Sequence, residues 1–188
     1  MIGSLYLTPQ NPDDACELEP LAQTLAALHI TAPPITHAKQ CSVYRAGAGF
    51  ARHVVFAGCS PHLRFEPRDA QDRHFCHVAL HGPFPEPRVL TGENTVKPRC
   101  PQCRTRLADW RERVDQPARA CPACGSELPP TRLDWRQHAA VGRSLVELRN
   151  VFPGEASPSD QLMQQLAECA GFAWRYAWSA LLDDCGPG

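Results

Sequence analysis

Four cysteines in two Cys-x2-Cys pairs are the residues whose type and spacing best predict chemistry. Cys100 and Cys103 form the first pair, Cys121 and Cys124 form the second, and 17 residues separate the pairs. Thiolates are strong zinc ligands, and this spacing matches that of structural zinc sites. Four thiolates would fill every position of a tetrahedral zinc ion and leave none for a substrate. The sequence therefore predicts one structural Zn²⁺.

The two pairs also share a local pattern. Each reads Cys-Pro-x-Cys, and Gly125 after the second pair suits the backbone that follows a tight turn. In these features the chain resembles the zinc ribbon family over about residues 97–130. The resemblance implies two short hairpins around one metal ion, and a role in nucleic-acid binding, in protein contacts or in stabilising the fold. A redox pair is disfavoured because two pairs lie at zinc spacing, and disulfides are disfavoured in a reducing compartment.

Basic side chains surround the predicted ribbon. Residues 97–136 carry nine basic and five acidic side chains, a net +4, whereas residues 1–96 sum to −2 and residues 137–188 to −3. Such a patch is typical of phosphate binding. However, a Zn(Cys)₄ centre has a net charge of −2, so the same side chains could simply offset it. Both interpretations stay open for the candidate nucleic-acid contacts, which are Arg99, Arg104, Arg106, Arg111, Arg113 and Trp110.

Trp110 has two interpretations of its own. Its ring could stack on a base, or it could pack the ribbon onto the rest of the protein. The second interpretation is favoured, because a Trp beside a small module more often packs that module onto its host.

A second group of metal-capable residues lies between positions 59 and 81. A Cys-x2-His spacing is compatible with a metal turn, but in a strand His74 would face away from His77. Three interpretations remain: a second metal site, buried residues in hydrogen bonds, and a catalytic cysteine (Cys59 or Cys76) beside a histidine. The buried interpretation is favoured, and an enzyme is the less favoured class. The candidate residues are Cys59, His62, His74 and His77.

Composition excludes several classes of protein. The chain has 188 residues, of which 43% are hydrophobic and 21% charged, with a net charge of −1. These values exclude a disordered or collagen-like chain. No apolar run reaches the ~18 residues of a membrane span, and the first residues lack the pattern of a signal peptide. We therefore expect a cytoplasmic protein without a membrane partner.

Periodicity predicts an α+β fold. Strands are expected at residues 2–7, 54–56 and 75–80. A helix is expected between the first two, beginning at Pro20 and stopped by Pro33 and Pro34. A half-buried strand over 144–152, a helix capped by Ser157 and ended by Gly171, and an aromatic strand over 172–178 form a β-α-β unit. Helices on one face of a mostly antiparallel sheet fit this order, and a ferredoxin-like arrangement is one such solution.

The predicted organisation places the ribbon inside one α+β domain. Residues 1–96 and 131–188 form that domain, and residues 97–130 form the insert. The predicted function is non-catalytic recognition of nucleic acid, a protein complex or both through the Arg-rich ribbon. The alternative is an assembly subunit with a purely structural ribbon, and a Cys/His-dependent enzyme using residues 59–81 is less favoured.

Overall fold

The computed structural model describes residues 3–38, 40–57, 63–69, 72, 74–152 and 154–179. No helix in these ranges is long and apolar enough to cross a bilayer. The strands are β1 (Gly3–Pro9), β2 (Thr31–Ala38), β3 (Cys41–Ala46), β4 (Val54–Phe56), β5 (His77–His81), β6 (Arg88–Leu90), β7 (Arg119–Ala120), β8 (Glu127–Leu128), β9 (Ala140–Gly142), β10 (Leu145–Val151), β11 (Ala156–Pro158) and β12 (Trp174–Ser179). The helices are α1 (Leu18–Ala27), α2 (Phe50–His53), α3 (Trp110–Arg113) and α4 (Asp160–Ala170), with a 3₁₀ turn at Pro130–Arg132.

A six-stranded antiparallel sheet forms the body of the protein. Its strand order is β12-β1-β10-β5-β3-β2, and every neighbouring pair is antiparallel. The chain passes from β10 through α4 to β12, and β1 lies between those two strands. The predicted α+β class and the C-terminal β-α-β unit are confirmed, whereas the ferredoxin-like arrangement is not.

The N-terminal helix begins two residues before the predicted start and ends well before the prolines that were expected to stop it. Pro33 and Pro34 lie in β2 instead, which is an edge strand of the sheet. Proline lacks a backbone N–H, and an edge strand can accommodate this because one side of it is unpaired. The sequence pattern predicted neither β2 nor β3.

The C-terminal helix α4 differs from its prediction at the start. Ser159, not Ser157, is the N-cap, and its hydroxyl accepts a hydrogen bond from the Leu162 N–H at 3.2 Å. Ser157 lies in β11, a three-residue strand that pairs with β4. The chain therefore stays extended through Pro158, and the helix begins after it. Gly171 ends the helix at φ 78°, a left-handed conformation that glycine adopts readily.

The main hydrophobic core lies between the sheet and the two long helices. Alternate residues of the central strands, including Leu5, Leu7 and Leu148, pack against Leu25 of α1 and Leu166 of α4. The predicted aromatic row of β12 contributes to the same core. Both long helices therefore cover one face of the sheet, as predicted.

The opposite face of the sheet is also covered, which the half-buried pattern of β10 did not predict. Tyr6 and Leu145 on that face pack against Phe84 and Ala140. Ala140 belongs to β9, and the next residue, Val141, packs into a separate cluster with the ribbon. Strand β9 thus connects the ribbon to the sheet. The division at residues 97 and 130 stays a prediction.

Candidate metal centre

Two equivalent turns hold the four cysteines. In the first turn the Cys100 N–H donates to the Thr105 carbonyl at 2.9 Å, and the Arg104 N–H donates to the Cys100 carbonyl at 2.9 Å. In the second turn Cys121 and Gly125 make the matching bonds, at 2.8 and 2.9 Å. Gly125 has φ 74°, and Arg104, at the matching position, has φ 65°. Backbone hydrogen bonds thus aim both cysteine pairs inward.

The sulfur atoms of the two pairs converge on one point. All four Sγ atoms lie within 4.8 Å of one another, with Cys100 and Cys124 at 3.8 Å and Cys103 and Cys121 at 3.6 Å. A disulfide would require about 2.05 Å. Tetrahedral ligands at ~2.3 Å from zinc would lie about 3.8 Å apart, so the donor set and its spacing fit this metal. None of these four cysteines is in a disulfide, whereas Cys41 is.

Hydroxyl groups favour the thiolate form of the two exposed cysteines. Sγ of Cys103 lies 3.3 Å from Oγ1 of Thr105, and Sγ of Cys124 lies 3.3 Å from Oγ of Ser126. Hydrogen bonds from Thr105 lower the pKa of Cys103 to about 6, and those from Ser126 lower the pKa of Cys124. Since a metal ligand must be deprotonated, these contacts prepare the site for a cation.

Comparisons with known proteins assign no family to this centre. The chain matches no protein-family model, no curated protein and no solved structure. The geometry of the four cysteines is accordingly the observation on which its function rests.

A small aromatic core supports the candidate metal centre. Trp110 is 3% exposed and makes an edge contact with Trp135, with the ring centroids 5.6 Å apart. The Trp135 indole N–H donates to the Pro130 carbonyl at 2.8 Å. Cys100 and Cys121 are buried in the same cluster. Trp110 therefore packs the ribbon onto residues 133–141, and its ring does not face solvent.

The arginines predicted around the ribbon occupy different environments. Arg106 and Arg111 are exposed, and the Arg111 guanidinium lies 4.4 Å from the centre of the Trp110 ring. Arg104 is exposed and pairs with Asp134 at 2.9 Å. Arg113, by contrast, is buried, and its Nε lies 2.7 Å from Oδ2 of Asp109 in the same helical turn.

The backbone of Arg99 lies between two neighbouring chain segments. It pairs in antiparallel fashion with Arg106 on one side and with Asp134 on the other. The ribbon thus presents Arg104, Arg106 and Arg111 outward, whereas Arg113 stabilises it internally.

The predicted second cluster is described only in part. Cys59 and His62 lie outside the described residues. His74 is exposed, whereas His77 is buried with its Nδ1 2.7 Å from the Phe75 carbonyl oxygen. Cys76 is buried in the main core, where burial raises the pKa of its thiol to about 11. This thiol is therefore protonated at neutral pH.

A buried polar cluster that the sequence analysis did not identify lies on the ribbon side of the sheet. Glu147 is 1% exposed and accepts hydrogen bonds from Ser4 Oγ at 2.7 Å and Tyr6 Oη at 2.5 Å. Its second carboxylate oxygen lies 2.7 Å from His81 Nε2 and 2.9 Å from Arg149 Nε. We call these five residues the Glu147 cluster.

The Glu147 cluster holds a charge inside the protein. Burial alone would raise the pKa of Glu147, but the hydrogen bond from His81 and the positive charge of Arg149 outweigh it and lower the pKa to about 2. Burial and the neighbouring carboxylate raise the pKa of Tyr6 well above its ordinary value. Glu147 therefore stays ionised at neutral pH, whereas Tyr6 stays protonated.

Proposed function

We propose that this protein is a non-catalytic recognition protein that binds one zinc ion in a zinc ribbon and contacts nucleic acid through the exposed, Arg-rich face of that ribbon. The observation that carries the proposal is the convergence of four cysteine Sγ atoms within 4.8 Å. A cytoplasmic location, which would keep the four ribbon thiols reduced, is part of the same proposal, although the disulfide-bonded Cys41 is unusual for that compartment.

Zinc is the metal that this donor set favours. Four thiolates in a tetrahedron select zinc or iron over magnesium and calcium, which prefer oxygen ligands. Cys100, Cys103, Cys121 and Cys124 would hold the ion, which would stabilise the ribbon without offering an open position for a substrate. Elemental analysis of the purified protein should find one zinc per chain, and another metal or none would contradict the assignment.

Charge and exposure support nucleic acid as the partner. Arg106, Arg111 and Arg119 are exposed, and Arg104 keeps 60% of its side chain accessible despite its pairing with Asp134. Trp110 and Trp135 are both buried, so the ribbon offers no indole ring for stacking on bases. We therefore propose contact with the phosphate backbone, which would bind with little sequence preference.

A salt series tests this proposal. Fluorescence anisotropy would measure binding of the zinc-loaded protein to short single- and double-stranded DNA and RNA. Binding through phosphates weakens steeply as salt rises, and the double variant Arg104→Ala with Arg106→Ala should lose most of it. Arg52→Ala removes an exposed charge on α2 as a control. Absence of binding even at low salt would overturn the proposal.

A pocket beside the ribbon supports a second candidate function, that of a protein-assembly subunit. The pocket has a volume of about 680 Å³ and lies between β6, the 3₁₀ turn and residues 114–117 of the ribbon. Asp13, Glu86 and Asp115 line it, and these carboxylates would repel phosphate. A protein interface there would depend only weakly on salt, in contrast to phosphate binding. Salt-insensitive capture of one specific protein would favour this candidate.

A further inference from the structure

Arg99 and Arg106 form a like-charge pair in the first hairpin of the ribbon. They lie directly opposite each other in an antiparallel backbone pairing. The flanking hydrogen bonds run from Leu107 N–H to the Pro98 carbonyl at 3.0 Å and from Cys100 N–H to the Thr105 carbonyl at 2.9 Å. This pattern makes Arg99 and Arg106 a non-hydrogen-bonded pair, whose Cα atoms lie only about 4.5 Å apart and whose side chains share one face. Like charges placed directly opposite each other destabilise a strand pair.

The carboxylate of Asp134, on the neighbouring chain segment, does not remove this repulsion. Asp134 pairs with Arg99 through its backbone, with N···O distances of 2.9 and 3.0 Å, but its side chain lies 2.9 Å from Nη1 of Arg104. Across the three chain segments the face therefore carries three arginines and one aspartate. The Asp134 carboxylate therefore balances at most one of these three positive charges.

The Arg99 side chain also has an unused donor. Its Nε is buried and has no hydrogen-bond partner among the residues that the structure describes. Buried donors in proteins are normally paired with protein, ordered water or an ion, so an acceptor from outside the chain would satisfy this one. The charge of a bound zinc centre would attract Arg99 through space, but this attraction would not by itself give Nε an acceptor at hydrogen-bonding distance.

We propose that Arg99 and Arg106 together bind one phosphate group. Two guanidinium groups on one face can donate several N–H bonds to phosphate oxygens, and a bound anion would remove the repulsion between them. The inference deepens the proposed function, because a backbone phosphate of nucleic acid is one source of this group. A free phosphate ion is the other source.

The site can be tested without nucleic acid. The Arg99 Nε–Hε signal in a ¹H–¹⁵N spectrum of the zinc-loaded full chain would be followed during titration with inorganic phosphate, against sodium chloride at equal ionic strength. We expect the signal to move with phosphate but not with chloride, and Arg106→Gln to weaken the response. Because Arg106 is exposed, this variant should fold normally. An unmoved signal would overturn the inference, whatever the protein does with nucleic acid.

Binding to duplex nucleic acid across a salt series then distinguishes the two sources of phosphate. Loss of one phosphate contact should lower the slope of log K against log salt by about 0.9 in Arg106→Gln relative to wild type, with Arg52→Gln unchanged. If the Nε signal responds to phosphate but wild type binds no nucleic acid, the proposed function fails and the site takes free phosphate. If wild type binds duplex and Arg106→Gln binds it with an unchanged slope, the backbone-contact assignment fails.

Arg99 could instead serve only to compensate the negative charge of the zinc centre, and a measurement of metal retention distinguishes that role from phosphate binding. Arg99→Lys keeps the charge beside Cys100 but removes the planar guanidinium group. We expect this variant to keep its zinc against a chelator while losing phosphate affinity, which is followed here through the Nε–Hε signal of Arg106. Retention of full phosphate affinity, together with the wild-type salt slope, would show that Arg99 acts only as a positive charge and would overturn its place in the site.

Discussion

At the scale of single residues, the candidate metal centre and the Glu147 cluster differ in the sequence separation of the residues that form them. The four candidate metal ligands lie in two short turns, so their spacing in the sequence already indicates their geometry. Ser4 and Glu147, by contrast, are 143 residues apart. No local pattern marks them, because only the pairing of β1 with β10 brings them together. The alternation of β10 predicted an exposed Glu147, and the layer over the second sheet face buries it.

The Tyr6 hydroxyl should contribute measurably to stability. It donates to the buried carboxylate of Glu147 at 2.5 Å, and hydrogen bonds to charged groups contribute roughly 1.5–3 kcal/mol. We expect Tyr6→Phe to lower the free energy of unfolding by about 2 kcal/mol in urea titrations. Tyr44→Phe, at a half-buried position on β3, serves as the matched control. Equal effects of the two variants would contradict a special role for the Glu147 cluster.

Gly125 offers a test of backbone conformation alone. It has φ 74°, and a Cβ placed there would meet no atom within 4 Å. Any loss in Gly125→Ala therefore reflects the left-handed backbone, for which an L-residue costs about 1–2 kcal/mol. Zinc affinity measured by competition with a chelator should fall by roughly tenfold. An unchanged affinity would show that the second turn tolerates a side chain as the first tolerates Arg104.

At the scale of elements, the ribbon and the sheet have separate hydrophobic cores. Trp110, Trp135 and Val141 belong to the ribbon core, whereas the core beneath α1 and α4 contains none of them. Strand β9 connects the two, through Ala140 on the sheet side and Val141 on the ribbon side. Loss of metal should therefore loosen the ribbon before it affects the sheet.

Cys121→Ser should release the metal and loosen the ribbon. Metal binding supplies folding free energy in such modules, and the buried Cys121 touches the aromatic core. We expect elemental analysis to find no zinc and hydrogen exchange to accelerate at residues 99–135, with β1 and β10 still protected. Cys169→Ser, outside the ribbon, should retain zinc. One zinc per chain in Cys121→Ser would exclude the four-cysteine assignment.

The elements that the sequence predicted well are those with strong local signals. Helix α4 has an apolar stripe and ends at Gly171, and β12 has alternating aromatic residues. Strand β2 was missed because its two adjacent prolines argue against a strand unless it lies at a sheet edge, and an edge position depends on the whole topology. Ser157 was taken for the cap because β11 is only three residues long and has no periodicity of its own.

At the scale of the whole molecule, both faces of the sheet are covered, and Glu147 is therefore buried. The stability of the fold then depends on Glu147 remaining ionised. A layer of apolar side chains, including Phe84 and Ala140, lies over the sheet face that carries the cluster. The carboxylate can be buried there because four donors compensate for the water it loses. Removing its charge should therefore weaken the body of the protein, independently of the ribbon.

Acid should destabilise the protein in a defined pH range. The folded-state pKa of Glu147, about 2, lies below its unfolded value of ~4.3. The stabilisation from its ionised form is thus fully present above the unfolded pKa and is lost as pH falls from ~4.3 through about 2, a difference of roughly 3 kcal/mol. Urea unfolding with a chelator present, from about pH 5 downward, would measure it without the contribution of metal release.

Two variants make this acid test specific to Glu147. Glu147→Gln removes the negative charge that faces the buried Arg149, so it should be less stable at neutral pH by roughly 3–5 kcal/mol. Because this variant cannot lose the charge a second time, its stability should change less than that of wild type between about pH 5 and pH 2. Glu168→Gln on α4 should follow the wild-type profile. If Glu147→Gln instead reproduced the full acid dependence of wild type, the acid sensitivity would belong to other carboxylates, and Glu147 would be no more than a hydrogen-bond acceptor between three strands.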